Sequence, residues 1–168
     1  LNGENNVITY MDYDYATDGI TGTSPTGTSI DHLTILGNLA LTANGIKFNA
    51  GENYSLTNNY ISIGGDYGIY LNGANNSDIL NNIITTANQY GILADNSDNS
   101  LFDNNHIVGK PLYGISSSYN ENSTFSNNSL DTKQYGLRIG DGDSLTIIDN
   151  TIELWEESCR GVDFQGSE

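Results

Sequence analysis

The stretch from Asn81 to Asn105, NNIITTANQYGILADNSDNSLFDNN, holds one complete repeat and decides how the chain is read. It opens and closes on an Asn pair, with Tyr90-Gly91-Ile92 between them. Both anchors recur. The Asn stands at Asn38, Asn59, Asn82, Asn105, Asn128 and Asn150. A Gly before an aliphatic residue stands at Gly45, Gly68, Gly91, Gly114, Gly136 and Gly161. The period is 22 to 23 residues, and the step from Gly to the next Asn is 14 every time. The step from Asn to the following Gly ranges from 7 to 11. One arc is fixed in length and the other is free, a combination required where successive turns must stay in register.

Within each repeat the apolar residues alternate. Gly-apolar-x-apolar places Ile46, Ile69, Ile92, Ile115, Leu137 and Val162 in one core column. A second column runs through Ile35, Leu56, Ile79, Phe102, Phe125 and Ile147. A third follows the Asn by two, at Ile61, Ile84, Ile107, Leu130 and Ile152. Alternation with period two in three short segments reads as three strands per repeat. The Asn, Gly, Ser and Thr content disfavours helix, and the period is too short for helical repeats of 33 or more residues.

Three short strands cannot close a core alone, but stacked repeats bury one side chain per strand per layer. The expected fold is all-β: a parallel β-helix of about six to seven coils, three short strands per coil, with no evident caps and layers ~4.8 Å apart. Residues 1–168 form one domain, with 1–28 a diverged first coil carrying an inserted loop and 29–168 the regular coils. In that first unit Asn6 and Gly19 are possible anchors. The Asn column is expected to form a hydrogen-bonded amide ladder, since each amide both donates and accepts. Asn also tolerates the left-handed backbone of a corner. The Gly column marks a second tight or crowded position.

The pattern NN-x-I followed by YGI-x-L resembles the right-handed parallel β-helix repeats of pectate-lyase-like and NosD-type proteins, over residues 29–168. The resemblance implies a right-handed coil, as does the crossover preference of parallel strands. For function it spans polysaccharide lyases, hydrolases, epimerases, phage tailspikes and passive surface proteins. The paired-Asp and Gly-His-Asp motifs of polygalacturonases and the Asp-Pro-His-Asp of epimerases are missing, so no catalytic residue is assigned.

Composition narrows the partners. The 168 residues carry 21 acids against five Lys or Arg, a formal charge of −16, and 24 Asn. Such a chain repels nucleic acid and anionic lipid. No stretch of 18 apolar residues offers a membrane span. The single Cys159 cannot pair internally, and no Cys/His spacing suggests zinc. Sequons at Asn53, Asn75, Asn122 and Asn127 permit glycosylation and lean toward an extracellular setting.

Chemistry is expected on the free arc, where length variation leaves the stack undisturbed. It carries the segment from Tyr10 to Tyr15, then His106, Lys110 and Lys133, then Trp155 to Arg160. Acids, bases and an aromatic platform there fit a sugar site, although loops tolerate any polar residue. Tyr67, Tyr90, Tyr113 and Tyr135 form a ladder before Gly. Facing outward they would suit sugar rings or a neighbouring subunit; facing inward they are corner packing. Asp98, Glu121 and Asp143 form an acidic column that either is a solvated turn or binds Ca2+; no other cofactor is implied.

Leu1 is not Met, so the chain reads as a processed product or a piece of something longer. Neither terminus offers an amphipathic capping helix, and the alternation continues through Val162 and Phe164. Copies of the chain stacked end to end, or further coils of a longer chain, would cover those edges. Cys159 could then crosslink neighbours. Two functions follow as expectations: an extracellular structural β-solenoid that self-associates into a layer, sheath or fibre without its own catalytic site, or a carbohydrate-binding or carbohydrate-active β-helix working through its free arc.

Overall fold

The structure is a computed structural model and describes residues 2–9, 18–23, 26–37, 44–86 and 88–166, with backbone alone for 2–9 and 86. Asn38 and the segment Tyr10 to Tyr15 lie outside the described residues. The chain forms strands β1 (Asn2–Thr9), β2 (Ile20–Thr23), β3 (Ser29–Leu36) and β4 (Ile46–Glu52). The next coils hold β5 (Ser55–Thr57), β6 (Tyr60–Ile63) and β7 (Tyr67–Asn75), then β8 (Asp78–Leu80), β9 (Ile83–Thr86) and β10 (Tyr90–Asp95). They are followed by β11 (Leu101–Asp103), β12 (His106–Val108) and β13 (Tyr113–Ser118), then β14 (Thr124–Ser126), β15 (Ser129–Thr132) and β16 (Tyr135–Gly140). The last described coil is β17 (Thr146–Ile148), β18 (Thr151–Leu154) and β19 (Arg160–Gln165).

Every pairing is parallel and one coil apart, so the strands fall into three stacks. The first runs β3-β5-β8-β11-β14-β17 and the second β1-β3-β6-β9-β12-β15-β18; the third runs β2-β4-β7-β10-β13-β16-β19. The result is a parallel β-solenoid of about six turns. β3 belongs to two stacks because it runs unbroken across a corner: its start pairs with β5 and its end with β6. Ile69 lies over Ile92, Ile92 over Ile115, and Ile115 over Leu137. Each is fully buried, and burying an aliphatic side chain of this size contributes roughly 1.5 to 3 kcal/mol. Phe102 and Phe125 stack in the same interior with ring centroids 4.8 Å apart.

The corners divide their work between neighbouring residues. Asn58, Asn81, Asn104, Asn127 and Asp149 take positive φ between 52° and 57°, turning the chain from the first stack into the second. The following residue of each pair carries the ladder. Asn59, Asn82, Asn105 and Asn128 are buried, and each donates from Nδ2 to Oδ1 of the Asn in the next coil at 2.9 to 3.1 Å. Each also donates to a carbonyl of the preceding coil, as Asn105 does to Ile79 at 2.8 Å. The Gly column has a different cause. A Cβ on Gly45, Gly68, Gly91, Gly114 or Gly136 would lie 2.5 to 2.6 Å from the carbonyl oxygen of the Gly one coil on. These glycines serve close packing of backbones, not a left-handed turn.

Register corrects three expectations. One coil before Asn59 stands Leu33, not Asn38, because Thr34 pairs with Tyr60; Leu33 N donates to Asn59 Oδ1, and Asn6 pairs with Leu33 one coil earlier. Ile35 lies over Ile61 rather than Leu56, whose partner is Ile30. Both shifts arise because the coil containing β3 is longer than its successors, with a step of 26 residues from Ile35 to Ile61. Val162, expected in the core, is 39% exposed because no described strand lies beyond β19.

Candidate functional site

Outward positions of the second stack carry a mixed constellation beside the free arc. His106, Val108, Ser129, Asp131, Thr151 and Glu153 line a shallow depression there. Alternation along β15 and β18 turns Asp131 and Glu153 outward, and the two are register partners in adjacent coils. At one strand spacing, ~4.8 Å, their carboxylates are neighbours. Trp155 follows β18; its indole N–H donates to Asp131 Oδ1. The Lys110 ammonium sits over the same ring, 3.2 Å from its centroid. Trp155 nevertheless remains 53% exposed. The structure thus brings His106, Lys110 and Trp155 to one side of the solenoid and adds Asp131 and Glu153.

Further round the arc, Asp66, Asn88, Gln89, Leu112 and Lys133 line a second, more open depression. Gln89 donates to Asp66 at 3.1 Å and Gln134 to Glu156 at 3.1 Å, so polar side chains bridge coils here as well.

The tyrosine ladder stands where the arc enters the third stack. Tyr67, Tyr90, Tyr113 and Tyr135 are half-buried. Successive ring centroids are 5.3, 4.6 and 5.0 Å apart, with interplanar angles of 12°, 11° and 9°. The ring faces between neighbours are therefore spent on one another. Partial burial pushes the Tyr67 and Tyr90 phenols up from their ordinary range. The Arg138 guanidinium lies 5.4 Å from the Tyr113 ring. Asp95, on the same outer face, has one buried carboxylate oxygen without a hydrogen-bond partner, and burial raises its carboxyl above the usual range. At the last rung Arg160 hydrogen-bonds Asp163, which is buried and held below the usual carboxylate range by that contact.

The acidic column is engaged by backbone. Asp98 Oδ1 accepts from the Glu121 N–H at 2.8 Å, Asn75 Oδ1 accepts from Asp98 N–H, and Asp143 Oδ1 accepts from the Ser144 N–H. Among the described residues no three His, Cys, Asp or Glu side chains gather to hold a metal ion, and the Asp98 and Asp143 carboxylates cap turns. Of the sequon residues, Asn53, Asn122 and Asn127 are exposed and Asn75 is half-buried; the Asn127 amide donates to Asp103 at 2.7 Å. Cys159 is free and partly buried.

Two features escaped the sequence reading. A second ladder runs through buried Ser77, Ser100 and Ser123, whose hydroxyls accept from backbone N–H groups of the preceding coil at 3.1 to 3.2 Å. The Asp131–Glu153 pair was also passed over. Both were accessible by carrying the 22 to 23 residue period onto polar positions.

Comparison with known proteins adds to this geometry. A family model described as a right handed beta helix region matches residues 18–165. No curated protein matches. Among solved structures, the chain is similar to full-length tailspike protein 2 of the Escherichia coli O157:H7 bacteriophage CAB120, with TM-score 0.58 and 16% identity. The match covers 90% of this chain and 23% of the tailspike chain. At that identity the likeness speaks to fold alone.

Proposed function

The chain belongs to the right-handed β-helix family, and from that premise we propose that it is a surface-exposed structural solenoid that self-associates outside the cell. One observation carries the reading: Tyr67, Tyr90, Tyr113 and Tyr135 form a half-buried ladder of stacked rings along one side of the coils, with Arg138 beside it, and aromatic residues with Arg are the types enriched where proteins meet. Tailspike-like architecture in the structural neighbour supports the extracellular setting. Sedimentation across a wide range of protein concentration tests it; a species that stays monomeric throughout overturns the reading.

A second reading has its own support. Trp155 is fixed by Asp131 and Lys110 beside an outward pair of carboxylates and His106. An oriented aromatic ring next to hydrogen-bonding acids is the arrangement that holds a pyranose, so the second stack is proposed as a carbohydrate-binding face. Retention on immobilised neutral and uronate glycans, with loss in Trp155→Ala, is the expected result. Equal retention of both proteins rules it out.

A further inference from the structure

We infer that the face around Trp155 takes glycans bearing free amino groups, the protonated amine displacing Lys110 from the indole ring; this names the ligand class of the carbohydrate-binding face proposed above and rests on that reading.

The molecule already holds the kind of group the site accepts. The Lys110 ammonium lies 3.2 Å from the Trp155 ring centroid, and Trp offers a cation the best of the aromatic faces. An acid steers that ring, since the indole N–H donates to Asp131 Oδ1. Glu153 is the register partner of Asp131 one coil on, and it is exposed. Two carboxylates thus stand beside one ammonium, so an acid is left over once Lys110 is counted. Lys133, the other base of the free arc, lines the second depression with Asp66 and does not offset it.

An unusual turn brings Lys110 to the ring. Gly109 and Lys110 take φ of 93° and 59° immediately before Pro111, although a residue preceding proline favours extended backbone. A backbone held in a sparse region points to a role for what it presents, and here it presents the ammonium. Lys110 is only half-buried and Trp155 is exposed, so a ligand amine can exchange with the contact.

The rest of the ligand follows from the rows beside the ring. His106, Ser129 and Thr151 form one register column of exposed or half-buried hydrogen-bonding side chains. Asp131 and Glu153 stand two residues further along the same strands, about 6.6 Å away at the rise of a strand. Both rows line one shallow depression. Partners for hydroxyls on one side, and carboxylates with an aromatic face on the other, match a sugar that carries an ammonium on its ring. An N-acetylated sugar keeps the hydroxyls and loses the charge. A uronate brings a charge of the wrong sign to a chain of net −16.

The test is affinity electrophoresis and titration calorimetry of the full chain with glucosamine oligomers and with N-acetylated oligomers of equal length. At about 150 mM salt, attraction between exposed charges is screened beyond ~8 Å. Wild type should prefer the free-amine oligomer about three- to tenfold, the size of one or two exposed ion pairs. Asp131→Asn/Glu153→Gln removes both charges, leaves an amide oxygen to accept the indole N–H, and should bring that ratio close to one. Lys110→Ala should tighten the free-amine oligomer roughly two- to fivefold, because its own cation–π contact no longer competes. Asp78→Asn/Glu121→Gln removes the same charge on the first-stack side and should keep the wild-type ratio. An equal fall in that control means diffuse attraction to an acidic chain and overturns the inference. Equal binding of both oligomers by wild type overturns it too, while leaving the carbohydrate-binding reading standing. No binding of these or of neutral and uronate glycans overturns both. If spermidine competes as well as the glucosamine oligomer at matched charge, the amine alone is recognised and the glycan assignment falls.

Discussion

Asn82 and Asn105 lie one above the other in adjacent coils, with Asn82 Nδ2 and its backbone N both donating to Asn105 Oδ1 at 3.0 and 3.1 Å. Asn105 passes the pattern on to Asn128 at 3.1 Å and ties back to Ile79 O. Asn105→Ala would leave the Asn82 N–H buried without a partner and take from Ile79 O one of its two donors, the strand ladder supplying the other. An orphaned buried group costs about 1 to 3 kcal/mol, so a loss of that size is expected by urea denaturation. Asn104, one residue earlier, does the turning, with φ of 52°. Asn104→Gly should therefore be nearly neutral. Equal losses for the two variants would refute the division of labour.

The Gly column allows an internal control. In Gly91→Ala the new methyl would lie 2.6 Å from Gly114 O, which is backbone and cannot swing aside. Overpacking of this kind typically costs 1 to 3 kcal/mol. A Cβ on Gly161 meets nothing within 4 Å, so Gly161→Ala should leave the denaturation midpoint unchanged or slightly raised. A similar loss at both positions would mean that crowding is not what selects glycine.

These contrasts show why part of the molecule was readable from sequence and part was not. The period, the three strands and the parallel stacking follow from alternation and from the fixed 14-residue arc, because register must repeat in every layer. The step from Gly19 to Leu33 is also 14, and Gly19 lies over Gly45, since Ile20 pairs with Ile46. The fixed arc thus extends into the first coil, but Leu33 stands there in place of an Asn, and Asn38 is the nearest Asn that spacing alone offers as an anchor. The tyrosine column was legible as a column but not as a surface. Whether rings stack on one another or face outward depends on side-chain rotation, which spacing does not encode. Asp131 and Glu153 differ: no local motif marks them, and only the 22-residue step between them, one coil of the repeat, reveals the pair.

Two carboxyls give opposite pH dependence. Hydrogen bonds from Thr57 and Asn58 and the neighbouring His32 hold Asp31 down at about 2, from 3.8. A lowered folded value adds stability above 3.8 that is lost as pH falls toward 2. Burial raises Asp95. A raised carboxyl is charged in the unfolded chain while still favouring its proton in the folded one, so it costs stability as pH climbs from 3.8 through its folded value, and the cost then stays constant. Asp31→Asn should lower Tm near pH 7 and match wild type near pH 2. Asp95→Asn should raise Tm near pH 7 and converge with wild type below 3.8. Melting curves across that range check both signs, and a reversed sign for either refutes its assignment.

Trp155 offers the last prediction, because two contacts hold it for different reasons. Asp131 accepts its indole N–H and so sets the ring's rotation, while Lys110 covers one face. Removing the acceptor with Asp131→Ala frees the rotation but leaves the ring present. Removing the cation with Lys110→Ala uncovers a face and leaves the ring oriented. If the ring is a carbohydrate platform, Lys110→Ala should hold glycan as tightly as wild type or more tightly, and Asp131→Ala should weaken binding several-fold. If the Lys110–Trp155 contact serves only to fasten neighbouring coils, Lys110→Ala should instead lower thermal stability, by about 0.5 to 1 kcal/mol for an exposed cation–π pair. Affinity electrophoresis and thermal melts on the same two proteins separate these outcomes, since a platform changes binding at constant Tm and a fastener changes Tm at constant binding.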